Sequence, residues 1–161
     1  MKIISGGQTG VDIAGLMAAK VCGLETGGFA PTGWRTQDGS RPELGTLYGL
    51  TQHSSSSYPP RTWANVQAAD ATLRIANKWH SAGESCTLGA IVRFNKPYLD
   101  IMYPWPDDKE QEVVDKIFAW LAKVKPAVLN IAGNSEKTCP GIEDDACRML
   151  VLVFRKVKEN G

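Results

Sequence analysis

The chain has 161 residues, 18 basic and 17 acidic, for a formal net charge of +1. That length supports one hydrophobic core and predicts a single domain over residues 1–161. The near-neutral charge and the absence of a long apolar run argue against a nucleic-acid surface or a membrane span, and a start that enters a strand directly, with no signal-peptide pattern, predicts a cytoplasmic protein.

Lys2-Ile3-Ile4 reads as a first strand and Val11–Cys22 as a first helix, with small residues (Ala14, Gly15, Ala18) on one stripe and Gly23 as its stop. Between them lies Ser5-Gly6-Gly7-Gln8-Thr9-Gly10. A Gly-rich turn at this place leaves backbone N–H groups unpaired at the positive end of a helix, which predicts an anion site, usually for phosphate. Gly6, Gly7, Gln8, Thr9 and Gly10 are therefore candidate ligand contacts. The turn is neither G-x-G-x-x-G nor a P-loop, since no Lys follows. A plain strand-to-helix connection is the competing explanation.

Glu25–Pro31 reads as a short second strand. Thr32–Pro60 is rich in Gly, Pro, Ser and Thr, long for a connection and so expected to be functional, with a small strand at Thr46–Leu50 and a flexible serine run at Ser54–Ser57. Pro59–Val66 fits a short helix with prolines in its first turn. It puts Arg61 and Asn65 on one face, the first suited to anions and the second to base or amide edges.

Asp70–Ala76 reads as a central strand and Asn77–Gly83 as its exit loop. A helix opens at Glu84 and runs to about Phe94, where Ser85 or Thr87 caps the start or binds a second anion. Pro97–Met102 is the next strand. Asp107 and Glu110 form a capping-box pattern ahead of a helix that Pro126 ends. Ala127–Ala132 is a strand with the exit loop Gly133-Asn134-Ser135-Glu136, and the last helix spans about Gly141–Glu159. Cys22, Cys86, Cys139 and Cys147 include no C-x-x-C, and His53 and His80 are far apart, so free thiols are expected and a zinc site is not.

The order β-α-β-loop-α-β-α-β-α-β-α predicts an α/β fold: a Rossmann-like, open, mostly parallel sheet with helices on both faces. Ligands of such sheets bind at the carboxyl ends of the strands. The loops there are Gly6–Gly10, Pro31–Arg35, Asn77–Thr87 and Gly133–Glu136, most of them combining Gly with hydroxyl or amide residues.

Gly6-Gly7-Gln8-Thr9-Gly10-Val11-Asp12 resembles the opening motif of the molybdenum carrier family. So do Gly28-Phe29-Ala30-Pro31-x-Gly33 with Asp38-Gly39, Tyr58-x-x-Arg61-Thr62-x-x-Asn65-Val66, Asp70-Ala71-Thr72, Leu129-Asn130-Ile131-Ala132-Gly133 and Pro140-Gly141-Ile142. The resemblance covers nearly the whole chain. It implies a Rossmann-like protein that self-associates, related to the Lonely Guy and lysine-decarboxylase-like group. It also implies that the ligand is the molybdenum cofactor (molybdopterin), a phosphate-bearing pterin held for delivery. The family has a basic residue where this chain has Thr32, which leaves Arg35 as the neighbouring cation. The phosphoribohydrolase relatives carry a Glu at a helix start, displaced here to Glu84.

The first expectation is therefore a carrier without a catalytic residue or a metal ligand of its own. The amides of Gly6–Gly10 and the helix start at Ser85–Thr87 hold anionic oxygens, Arg61 pairs with an anion, Asn65 reads a ring edge, and Gly133, Asn134 and Ser135 close the site. A small anionic ligand and a second copy of the chain are its expected partners. The alternatives are a nucleotide-processing enzyme of the phosphoribohydrolase type, with Glu84 or Asp12 as acid/base, and a nucleotide sensor.

Overall fold

Period-2 alternation along the strands gives the central sheet two unlike faces in the computed structural model, which describes residues 1–161. Five parallel strands form that sheet: β1 (Lys2–Ile4), β2 (Glu25–Gly27), β7 (Ala71–Ala76), β8 (Tyr98–Met102) and β9 (Val128–Gly133), in the order β2-β1-β9-β7-β8. Ile3, Leu73, Ile75, Leu129 and Ile131 point to one face. There they pack under α1 (Val11–Val21), α5 (Glu110–Val124) and α6 (Ile142–Glu159), with Phe154 and Ile117 wholly buried. Each such side chain contributes about 1.5–3 kcal/mol by leaving water. The alternate positions, Thr72, Arg74 and Asn130, are polar yet buried. They face α3 (Tyr58–Ala68) and α4 (Ala82–Phe94), whose own apolar cluster is only Val66, Ala90 and Ile91. A thin apolar layer over a polar sheet face leaves room for a cavity.

The expected Rossmann-like α/β architecture is thus present, with helices on both faces of a parallel sheet. Three local expectations are corrected. The second strand breaks at Gly28 (φ 124), where an added Cβ would lie 2.2 Å from the Ser5 carbonyl oxygen, so the chain leaves the sheet after Gly27 and Phe29–Ala30 becomes β3. Thr46–Leu50 is not a strand. Leu44 needs burial against Ile13 and Leu16, and α2 (Glu43–Tyr48) supplies it before a left-handed Gly49 ends the helix. The strand falls just after it, as β6 (Thr51–Gln52) beside β3. Between these pieces, β4 (Arg35–Thr36) and β5 (Gly39–Ser40) form a hairpin. The capping box at Asp107 does not form, because a 3-10 turn over Asp107–Lys109 intervenes and the Glu110 carboxylate takes Arg148 at 2.7 Å and the Trp105 indole N–H at 3.2 Å.

Beyond β8, the Tyr103 hydroxyl donates to Asp145 Oδ2 at 2.7 Å and ties that loop to α6. Burial first, then the Asp145 carboxylate, pushes the phenol up to about 12. A raised value means this bond stabilises the fold below the ordinary phenol value and is lost as pH rises through the folded one. In a tyrosinate absorbance titration one of the four tyrosines should ionise near 12, and Tyr103→Phe should remove that step. Ionisation of all four together at about 10 would contradict the assignment.

Candidate functional site

The β1–α1 turn does not present bare amides. The Gly7 N–H donates to Ser5 Oγ (3.2 Å), Gln8 N–H to Asp12 Oδ2 (3.3 Å), Thr9 N–H to Gln8 Oε1 (2.9 Å) and Gly10 N–H to Glu143 Oε2 (2.8 Å). The Val11 N–H donates to the Asn134 carbonyl at 3.2 Å. This overturns the expectation of an open cradle at Gly6–Gly10. The physical reason is that a helix start must satisfy its orphan donors. Here the chain's own acids do so: Asp12 from the first turn of α1 and Glu143 from the first turn of α6. Gly6 and Gln8 still line the adjoining cavity, whereas Gly7, Thr9 and Gly10 do not.

That cavity has a volume of about 350 Å³, within the usual range for small-molecule sites. It lies at the carboxyl ends of the strands, between the β1–α1 turn, the N-terminal turns of α3 and α4, and the end of β9. β9 continues into α6 on one face and its neighbour β7 into α4 on the other, so this is a switch point of the sheet.

Arg61 is the cation of the cavity. It is 8% exposed, and its Nη1 donates to Asp12 Oδ2 at 3.1 Å. Neither Nε nor Nη2 has a protein acceptor, and Nε is a buried donor with none. Gly6 permits this pose, since a Cβ there would lie 1.6 Å from Nη1. Burial pushes the Asp12 carboxyl up, and the Arg61 charge pulls it partly back. The ring of Tyr58 lines the mouth, with the Arg61 guanidinium 5.5 Å and the Arg35 guanidinium 4.9 Å from its centroid. Arg35 itself stays outside the lining and donates to the Ser56 carbonyl.

Asn65 shares the face of Arg61, as the spacing requires, but it is not free to read a ring. Its Oδ1 accepts from Phe29 N–H at 2.9 Å, and its Nδ2 donates to the carbonyls of Phe29 (3.0 Å) and Arg61 (2.9 Å). The reason is the break after β2: the exposed backbone of Phe29 needs a partner, and the amide clamps it.

α4 begins at Ala82, two residues earlier than the sequence suggests. Ser81 is its cap: Ser81 Oγ accepts from Glu84 N–H at 3.4 Å and donates to Glu84 Oε2 at 2.8 Å. Ser85 is consequently exposed and off the cavity, and the Thr87 hydroxyl, which lines it, donates to the Gly83 carbonyl at 3.0 Å. Neither sits at the helix start. Glu84 is 3% exposed and lines the cavity. Burial, the main cause, pushes its carboxyl up, with the Asp12 charge adding to it.

Asn134 lies behind this wall and not on it. Its Oδ1 accepts from the N–H groups of Asn77 and Lys78, each at 2.9 Å. Its Nδ2 donates to the Lys78 carbonyl (3.2 Å) and to Glu84 Oε2 (2.9 Å). Gly133 and Ser135 do line the cavity. A Cβ at Gly133 would meet the Ile75 carbonyl at 2.0 Å, and Ser135 Oγ donates to Thr138 Oγ1 at 2.9 Å.

The cavity also holds residues that the sequence reading left out of the site. Asn130 is 3% exposed on its floor. A lone amide inside Ala-Val-Leu-Asn-Ile-Ala was the available signal. Ser81 was visible too, as the first residue of an S-x-x-E capping pattern ahead of Glu84. Gln37, whose backbone N–H donates to Gln8 Oε1 at 2.9 Å, comes from the β4–β5 hairpin and had no signal. Cys86 brings a half-buried thiol to the wall, with burial pushing its ionisation up.

The model of the circularly permutated YpsA SLOG family matches residues 3–154. No curated protein matches the chain. The crystal structure of a protein named "Putative molybdenum carrier protein" from Syntrophus aciditrophicus SB is similar to it, with a TM-score of 0.85 and 33% sequence identity over 95% of this chain and 93% of that one.

Proposed function

The chain belongs to the circularly permutated YpsA SLOG family, and on that premise we propose that it is a binding protein for a phosphate-bearing, pterin- or nucleotide-like ligand, carried rather than transformed. One observation supports this above others. Asp12 holds Arg61 by Nη1 alone, so the Nε–Nη2 edge, the side of a guanidinium that fits two anion oxygens, has no protein acceptor beside a cavity of about 350 Å³. Leaving a buried donor unpaired is costly, and an arriving anion removes that cost. The molybdenum cofactor is the cargo we favour, because the similar Syntrophus protein bears a carrier's name.

The test uses the cavity thiol. Cys86 should be alkylated slowly at mildly alkaline pH, where some thiolate forms. Millimolar GMP or 6-carboxypterin should slow that reaction severalfold while Cys139 and Cys147 react unchanged, as read by peptide mass spectrometry. Equal rates at Cys86 with and without either compound would overturn the proposal. Native mass spectrometry of freshly purified protein should show a co-purifying small anion.

A second reading, an enzyme acting on nucleoside monophosphates, draws on the buried Glu84 carboxyl with its raised ionisation, the condition of a general acid. Steady release of free base that stops in Glu84→Gln would favour it over the carrier.

A further inference from the structure

The Glu84 carboxylate is fixed in an uneven way. Both of its protein donors, the Ser81 hydroxyl and the Asn134 amide, converge on Oε2, at 2.8 and 2.9 Å. Oε1 has none, although the residue is 97% withdrawn from solvent and lines the cavity. On the neighbouring floor, Asn130 Nδ2 donates to Thr72 Oγ1 at 3.4 Å, which leaves its Oδ1 without a donor. Two acceptors without a protein donor therefore belong to residues lining the same hollow as Arg61, whose Nε is a buried donor without an acceptor.

We infer that Glu84 and Asn130 form the selectivity end of the site, and that they take a fused heterocycle presenting a ring N–H beside an exocyclic amino group. Guanine and pterin share that edge; adenine offers one amino group beside a ring acceptor. This rests on the binding function proposed above, with the ligand's anion on Arg61. A ligand that covers these acceptors without supplying donors desolvates them at a cost, so the site discriminates strongly.

The fixed surroundings of Glu84 make the Glu84→Gln variant informative. Asn134 cannot turn its amide, because its Oδ1 is held by two backbone N–H groups. The glutamine oxygen must then occupy the Oε2 position, opposite the two donors. Its NH₂ is left facing the cavity, where an acceptor becomes a donor.

Titration calorimetry with GMP, AMP and 6-carboxypterin reads the result. Wild-type protein should bind GMP or 6-carboxypterin at least about tenfold more tightly than AMP. In Glu84→Gln that ratio should fall by about tenfold or more, with AMP binding improved. A stronger response to 6-carboxypterin than to GMP identifies the pterin as the ring. Equal wild-type binding of GMP and AMP overturns the inference while leaving the anion site intact. An unchanged ratio in Glu84→Gln also overturns it. Failure of all three compounds to bind wild-type protein overturns the binding function as well. Because the wild-type ratio stands alone, the inference is tested even if the variant does not fold.

Discussion

Arg61→Ala should lower stability by about 3–5 kcal/mol, because it strands a buried charge. The Asp12 side chain is 7% exposed and the Arg61 side chain 10%, so solvent screens the pair little. Asp12 would keep accepting from the Gln8 N–H and closing the β1–α1 turn, now without the Arg61 cation. Its carboxyl, already raised by burial, would rise further in the variant. A carboxyl raised in the folded state binds its proton more tightly there than in the unfolded chain, so stability falls as pH rises above the ordinary aspartate value. The deficit of Arg61→Ala should accordingly shrink as pH is lowered. Asp12→Ala combined with Arg61→Ala should cost less than the two single changes added, with a coupling of about 1–3 kcal/mol. Urea denaturation at neutral and acid pH checks both. Simple additivity, with no pH dependence of the deficit, would show that the pair is not coupled.

Asn134→Ala should be the next most damaging change, at about 2–4 kcal/mol. The side chain uses all four of its hydrogen-bonding positions. Removing it deprives two backbone N–H groups of the β7–α4 loop of their acceptor and frees Glu84 from one of its two anchors. Discounting for water at the partly exposed loop keeps the figure below the sum of the parts. The change should also raise hydrogen exchange at Asn77 and Lys78 while the amides of β7 stay protected. Exchange that is unchanged at those two residues would show that Asn134 does not hold the loop.

How legible all this was follows from what each residue's role depends on. The alternation of apolar strands with amphipathic helices is a local signal, and it led to the parallel sheet and its two helical layers. The four loops at the strand ends were located for the same reason. Roles that depend on who reaches whom across the chain were not legible. Asn65 looked like a ring reader because the break at Gly28, which makes Phe29 need a clamp, is a contact between Gly28 and Ser5. Gly10 looked like a bare donor because Glu143 is 133 residues away. Asn134 was placed at the site by its loop but serves it from behind. Gln37 belongs to a hairpin inside a stretch that reads as irregular, so no pattern pointed to it. Asn130 is the opposite case: a polar residue in a buried strand was in plain view, and its meaning lay in the face it turns to.

The central claim is that Arg61, steadied by Asp12, offers its unpaired edge to an anion inside the cavity. The most direct measurement is a crystal structure of the protein soaked with GMP or 6-carboxypterin. The account predicts an anionic oxygen within hydrogen-bonding distance of Arg61 Nη2, with the Asp12–Arg61 pair intact. An anion seated instead on the amides of Gly7–Gly10, with Asp12 and Glu143 swung away from them, would contradict it.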